Sequence, residues 1–242
     1  MDASSKGLIT EAIKTKIERI INVFENDDFD KPNYGLLKVY QDGRKVRGMK
    51  TFQITYGVKQ TTEQGSLADL IELYCATTGA KFGSELRKYL PQIGIKPLYN
   101  NGSFKRLLIA AGDDPIMKQC QDQFFDDVYW KPAKNWFDAF GFKLPLSMLV
   151  IYDSQIHSGG VLQFLRNRFT EKPPSFGGDE KRWVGDYVKE RDKWLEFNED
   201  SLLRKTDYRT DCFLEQMRND NWLLDKTVRI LDGNGHLKAN VL

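Results

Sequence analysis

The chain has 242 residues, 40% hydrophobic and 12% aromatic, enough to bury a core as one domain or two lobes and too apolar for a disordered chain. Its 36 basic and 34 acidic side chains leave a net charge of +2, too near neutrality to point to a nucleic-acid partner. No apolar stretch is long enough to span a membrane.

From Ile9, apolar residues at Ile13, Ile17, Ile20, Ile21 and Phe24 predict a helix with one buried stripe, closing at Glu25. Glu25 follows Ile21 by one turn and sits at the helix C-terminus, where the macrodipole disfavours a negative charge. That is a suitable place for a general acid. Asn26-Asp27-Asp28 reads as a turn, and Lys31-Pro32 rules out further helix. Gly35 to Tyr40 and Thr51 to Tyr56 read as strands, with Asp42-Gly43 turning the chain between them. Such a hairpin holds Asp42 opposite the helix that ends in Glu25. Two carboxylates on facing elements suggest acid/base hydrolysis, although acidic residues at helix ends and turns are commonly plain solvated surface.

Thr61-Thr62-Glu63-Gln64 opens the next helix, with Thr61 or Thr62 as its cap and Leu67, Leu70, Ile71 and Tyr74 as its buried stripe. Further helices are predicted over Phe82 to Tyr89, Ser103 to Ala111, Ile116 to Trp130 and Pro132 to Phe140, with Pro115 at a first helical position. Pro145 to His157 is apolar nearly all round, as a buried helix should be. Asp153 inside that run is costly unless paired, and Arg191 and Arg209 are the candidate partners. A core salt bridge without catalytic duty is the simpler reading. Val161 to Phe169, Trp183 to Phe197 and Asp211 to Asn219 read as helices, Lys172-Pro173-Pro174 to Gly178 as a loop, and Leu231 to Leu237 as a tail turning twice on glycine.

Acidic clusters at Glu25 to Asp30, Asp113-Asp114, Asp126-Asp127 and Glu199-Asp200 fit solvated faces or caps, or a groove for a cationic ligand. Cys75, Cys120 and Cys212 make no disulfide framework, and His157 and His236 stand too far apart for a zinc site, so no metal is expected. Neither a phosphate-cradling glycine loop nor a G-x-S-x-G elbow is present. Met1 to Lys6 lacks an apolar signal core, so the protein stays inside the cell or has lost a leader.

Several stretches, in order from about Ile17 onward, carry a resemblance. They are Phe24-Glu25, Asp42-Gly43-Arg44, Gln53-Ile54-Thr55-Tyr56-Gly57 and Gln60-Thr61-Thr62-Glu63. Then come Asp114-Pro115, Gln121, Phe125-Asp126, Tyr129, Pro132-Ala133, Tyr152-Asp153 with His157, Tyr208-Arg209-Thr210-Asp211 and Asn234-Gly235-His236-Leu237. Together they resemble the chitosanases of glycoside hydrolase family 46, a branch of the lysozyme-like superfamily.

The resemblance implies a mainly α (α+β), lysozyme-like fold of two helical lobes, with a small β-hairpin or sheet and a substrate cleft between the lobes. One catalytic domain would span 1–242, with residues 34–115 as the smaller lobe and 7–33 and 116–242 as the larger. It implies an endo-acting, inverting hydrolase of β-1,4 linkages in chitosan, with Glu25 as general acid and Asp42 as general base. Thr61 is the expected water-orienting threonine, with Thr51 and Thr55 as rivals. Asp153, Arg191 and Arg209 are expected as a buried network behind Glu25, and Tyr34, Arg44, Tyr56, Glu63, Asp69 and His157 as substrate contacts. The partner implied is the polysaccharide alone, handled by a secreted, extracellular monomer without cofactor, nucleic acid or membrane.

Two departures stand out. The segment Arg44 to Lys50 is basic and looks longer than in several relatives, and Ser66 falls near a position where many relatives carry an amine-gripping aspartate, a duty Glu63 or Asp69 would have to take over. A muramidase acting on anionic peptidoglycan, or an inert glycan-binding module, are the alternatives.

Overall fold

The structure, a computed structural model, describes residues 7–26, 32–58 and 60–242. The turn expected at Asp27-Asp28, the acidic run to Asp30, the stop at Lys31 and the N-terminal hexapeptide lie outside the described residues. The first helix, α1 (Glu11–Asn26), follows from the spacing of its isoleucines, and Ile17, Ile20 and Ile21 are fully buried. Fully burying one such side chain is worth roughly 1.5–3 kcal/mol, which is why the stripe sets the helix's orientation. The chain divides into two compact units, the first joining α1 to Tyr129–Leu242, the second ending at Val128.

The second unit begins with β1 (Leu37–Tyr40), then a two-residue-per-strand ribbon of β2 (Lys45–Val46) and β3 (Met49–Lys50), then β4 (Gln53–Tyr56) and β5 (Thr61–Thr62). β1, β4 and β5 form an antiparallel sheet in that order, with Leu37 opposite Tyr56 and Tyr40 opposite Gln53. The tight turn expected at Asp42-Gly43 is a longer excursion. The chain reverses at Arg47 (φ 51°) and Gly48 (φ 83°), and Asp42 lies at the ribbon's foot.

The helix expected from Thr61 starts later, as α2 (Leu67–Ala76), because Thr61 and Thr62 are β-branched and extend the sheet. Its stripe is as expected, with Leu67, Leu70, Ile71 and Tyr74 fully buried. Next come α3 (Gly83–Arg87), α4 (Gly102–Ala111) and α5 (Pro115–Phe125). Asp114 caps α5 by accepting from Ile116 N at 3.0 Å, with Pro115 in the first turn, where its missing N–H costs nothing. The single helix expected to Trp130 keeps its α form only to Phe125 and continues as a π-helix over Asp126–Trp130.

The first unit resumes with α6 (Lys131–Ala139) and α7 (Pro145–Ser158), whose residues from Leu146 to Ser154 are buried on every face. α8 (Gln163–Arg166) is shorter than its expected nine residues, and α9 (Glu180–Glu196), α10 (Ser201–Arg204) and α11 (Tyr208–Arg218) follow. The tail is a hairpin of β6 (Val228–Leu231) and β7 (Leu237–Val241), with Val228 opposite Val241, both fully buried. Helix dominates throughout and the sheets are small, an α+β fold.

Candidate active site

Glu25 is placed by the end of α1. The last carbonyls of a helix lack internal partners, and here Phe24 O accepts from the Tyr208 hydroxyl at 2.9 Å and from Arg209 Nη2 at 3.4 Å. A cation at a helix C-terminus is also favoured by the macrodipole. The same Nη2 donates to Glu25 Oε1 at 2.8 Å, and Nη1 donates to Asp153 Oδ1 at 3.0 Å. Arg191 Nη1 stands 2.7 Å from Asp153 Oδ2, a close ion pair off the hydrogen-bonding angle, and both residues are 0% exposed. Ser154 Oγ accepts from the Tyr187 hydroxyl at 3.2 Å and from Arg191 Nη1 at 3.4 Å, which steadies that guanidinium.

Burial alone would raise the Asp153 carboxyl, but Arg191 and Arg209, helped by His157, outweigh it and hold it below the usual carboxylate range. Burial likewise works against the charge on Arg209, and Asp153 and Glu25 reverse the balance, so its proton is held more tightly than usual. Among the described residues, Arg191 Nε and Nη2 and Arg209 Nε are buried without hydrogen-bond partners. A buried ion network with unmet donors is weak evidence of a stabilising role.

Asp42 is exposed, at the foot of the β2–β3 ribbon. A chain of amides fixes its turn. Gln53 Nε2 donates to Asp42 Oδ1 at 2.9 Å while Gln53 Oε1 accepts from Gln64 N at 3.1 Å. Gln64 in turn accepts from Arg44 N at 2.6 Å and donates to Thr51 Oγ1 at 3.0 Å. Thr51 Oγ1 donates to Arg44 O at 3.0 Å, and Gly43 N donates to Thr51 O at 2.9 Å. Gly43 is needed here, because a Cβ would lie 2.9 Å from the Thr51 carbonyl oxygen.

Residues 19–228 match the model of Glycosyl hydrolase family 46. The chain belongs to this family. It is 26% identical over 212 residues to a chitosanase of Bacillus subtilis (strain 168), a match that covers 81% of this chain and 70% of that one. Its fold is also that of solved chitosanases. A mutant chitosanase from Bacillus subtilis MY002, complexed with 6 GlcN, is 21% identical with a TM-score of 0.77 over 97% of this chain and all of its own. The family 46 chitosanase of Gynuella sunshinyii, in complex with chitotetraose, is 22% identical with a TM-score of 0.76 over 97% of this chain and 99% of its own.

Three candidates in this family 46 chain need correction. Thr61 is 1% exposed and its hydroxyl donates to Tyr56 O at 2.9 Å, so it is committed to the sheet rather than to a water at Asp42. Tyr56 is fully buried, with its hydroxyl on Leu108 O at 2.8 Å. Glu63 is buried too, and its oxygens accept from Leu98 N at 2.6 Å and Ile54 N at 3.1 Å. Both are core residues, not sugar contacts.

Of the others, Tyr34 donates its hydroxyl to Asp122 Oδ1 at 2.9 Å, while Arg44 and Asp69 are exposed. Thr55 is buried in β4. His157, half-buried in the last turn of α7, faces Asp153, Arg191 and Arg209, and burial first and the two arginines next push its imidazole down to about 4 against the pull of Asp153. Gln53 and Tyr208, which stand in the stretches that carry the resemblance but with no expected role, join these networks together with Gln64, Tyr187 and Ser154. Among the described residues, no group of three or more His, Cys, Asp or Glu could hold a metal.

Proposed function

We propose that this family 46 chain is an endo-acting, inverting hydrolase of β-1,4-linked glucosamine in chitosan, with Glu25 as general acid and Asp42 as general base. The observation that carries the reading is the Arg209 fork between Glu25 and the buried Asp153, in a chain whose relatives are chitosanases. Glu25 gives its proton to the glycosidic oxygen as the bond to the anomeric carbon breaks. Asp42 takes a proton from a water whose oxygen forms the new bond on the opposite face, so the β linkage yields an α product.

Thr51, not Thr61, is the threonine proposed to steady that water. It is hydrogen-bonded into the Asp42 turn, and its hydroxyl keeps a second lone pair beyond the one that Gln64 uses. Exposed Asp69 suits the ammonium of a glucosamine unit, with Tyr34 and Arg44 as further sugar contacts. The reading places a monomer outside the cell, where the polymer lies.

Chitosan incubated with the protein at mildly acidic pH should yield new reducing ends, with the α anomer appearing first by proton NMR. Glu25→Gln should reduce turnover by roughly 10²–10⁴-fold with the fold retained. A folded protein that releases nothing from chitosan overturns the reading, and clearing of cell-wall suspensions instead points to a muramidase.

A further inference from the structure

The β2–β3 ribbon carries features that cost stability and serve no ion pair among the described residues. Its register sets Lys45 directly opposite Lys50, a like-charge pair that destabilises a two-stranded ribbon. Its two-residue loop has positive φ at both Arg47 (51°) and Gly48 (83°), a type I′ turn in which asparagine or glycine would sit without the strain that arginine bears. On the face opposite the lysines, Val46 and Met49 pair across the strands and stay 57% and 69% exposed. No ion pair of the described residues includes Lys45, Arg47 or Lys50. After Asp42 the next acidic residue is Glu63, whose oxygens are taken by backbone amides.

The ribbon cannot move away from Asp42. Lys45 follows it by three residues, so an extended chain keeps their Cα atoms within about 11 Å, close to the Debye length of about 8–10 Å in ordinary salt. Thr51 pins the other strand to Gly43 and Arg44 at the ribbon's foot. Whatever sugar unit Asp42 serves therefore feels Lys45 most, with Lys50, its cross-strand partner, and Arg47 at the loop acting from farther out.

We propose that the ribbon is a charge filter that sets substrate class: it repels runs of glucosamine bearing protonated amines and favours N-acetylated units. An acetamido group is neutral, and its methyl suits the exposed Val46–Met49 pair. The preferred polymer is then partially acetylated chitosan. This inference rests on the proposed chitosan-cleaving activity and deepens it.

The test compares kcat/KM on fully deacetylated and on partially acetylated chitosan for the wild type and for Lys45→Gln/Arg47→Gln/Lys50→Gln. At about 10 Å in a water-like dielectric at low salt the Lys45 charge is worth about twofold, and the more distant Arg47 and Lys50 less. At low salt the wild-type preference for the acetylated polymer should therefore fall roughly 2–5-fold in the triple variant, chiefly through KM for the deacetylated one. Raising salt to about 1 M, where the Debye length is about 3 Å, should bring the two proteins together. Lys50→Glu, which relieves the Lys45 repulsion, should move the ratio the same way with a Tm no lower than wild type. A ratio unchanged in both variants at low salt overturns the filter while leaving the parent activity standing. A wild type that cleaves neither polymer removes the parent reading instead.

Discussion

Arg209 holds Glu25 through Nη2 at 2.8 Å, and the other arm of the same guanidinium is spent on the fully buried Asp153. The orientation of a part-exposed carboxyl is thereby tied to the core of its unit, through a group whose own position is set by α11 and the end of α1.

Arg209→Ala should strand the Asp153 charge with only Arg191 beside it. Breaking a buried pair in this way costs about 3–5 kcal/mol, which at this chain length lowers Tm by roughly 6–20 °C. Arg209→Lys keeps a charge but lacks the fork, so it cannot serve both carboxylates in the same geometry. It should recover much of the Tm in a thermal melt and little of the kcat. A lysine variant with wild-type kcat would show that Arg209 is structural only.

The Asp42 turn makes a second prediction. Alanine at Gly43 places a Cβ 2.7 Å from Gln64 Nε2 and Thr51 Oγ1 and 2.9 Å from the Thr51 carbonyl oxygen. The Gln64 amide can swing aside, but the backbone carbonyl cannot, so the turn must shift and carry Asp42 with it. Displacement of a reacting group by about 1 Å costs on the order of 100-fold in rate. Gly43→Ala should thus lose kcat out of proportion to its Tm, and Gln53→Leu, which removes the donor to Asp42 without adding bulk, should do so more mildly. Equal kcat in wild type and both variants would detach Asp42 from the chemistry.

Glu63 separates a core role from a sugar-binding one. Its two oxygens accept from Leu98 N and Ile54 N, and a glutamine in its place would offer one acceptor and turn a donor toward the other amide. Glu63→Gln should cost about 1–3 kcal/mol, or roughly 2–12 °C in Tm, with KM for chitosan unchanged. A raised KM at unchanged Tm would restore the sugar-contact role.

How much of this can be read in the chain depends on the kind of interaction. The stripe of α1 and the apolar run around Asp153 are legible, because helix burial repeats every three to four residues and a lone carboxylate in such a run must find a cation. Spacing does not choose between Arg191 and Arg209, and the protein uses both. The Asp42 turn is illegible. Its bonds join side chains to partners 11 and 20 residues away, which leaves no period to detect. Tyr56 and Glu63 look like surface polar groups in sequence, since satisfaction by a backbone amide or carbonyl changes nothing in the one-dimensional pattern. β6 and β7 are obscured for a related reason, because the glycines between them dominate the local signal while their inward valines lie ten or more residues apart.

His157 links the buried network to pH. Its imidazole is held at about 4 in the folded protein, first by burial and then by Arg191 and Arg209, against an ordinary value of 6.5. Between these values the unfolded chain binds a proton that the folded one refuses, so stability falls as pH drops from 6.5 toward 4. The full gap corresponds to about 3 kcal/mol. Asp153 acts lower down: its depressed carboxyl contributes stability above the ordinary carboxylate value, which is lost only as pH falls through its folded one. Urea unfolding of wild type and His157→Gln at pH 7, 6, 5 and 4 should therefore show a shallower loss in the variant, with the two curves converging or crossing toward pH 4. The comparison of slopes cancels whatever packing the substitution removes at neutral pH. Parallel losses in the two proteins would mean that His157 takes up its proton in the folded state as readily as in the unfolded chain, and the arginines beside it would then have no hold on its charge.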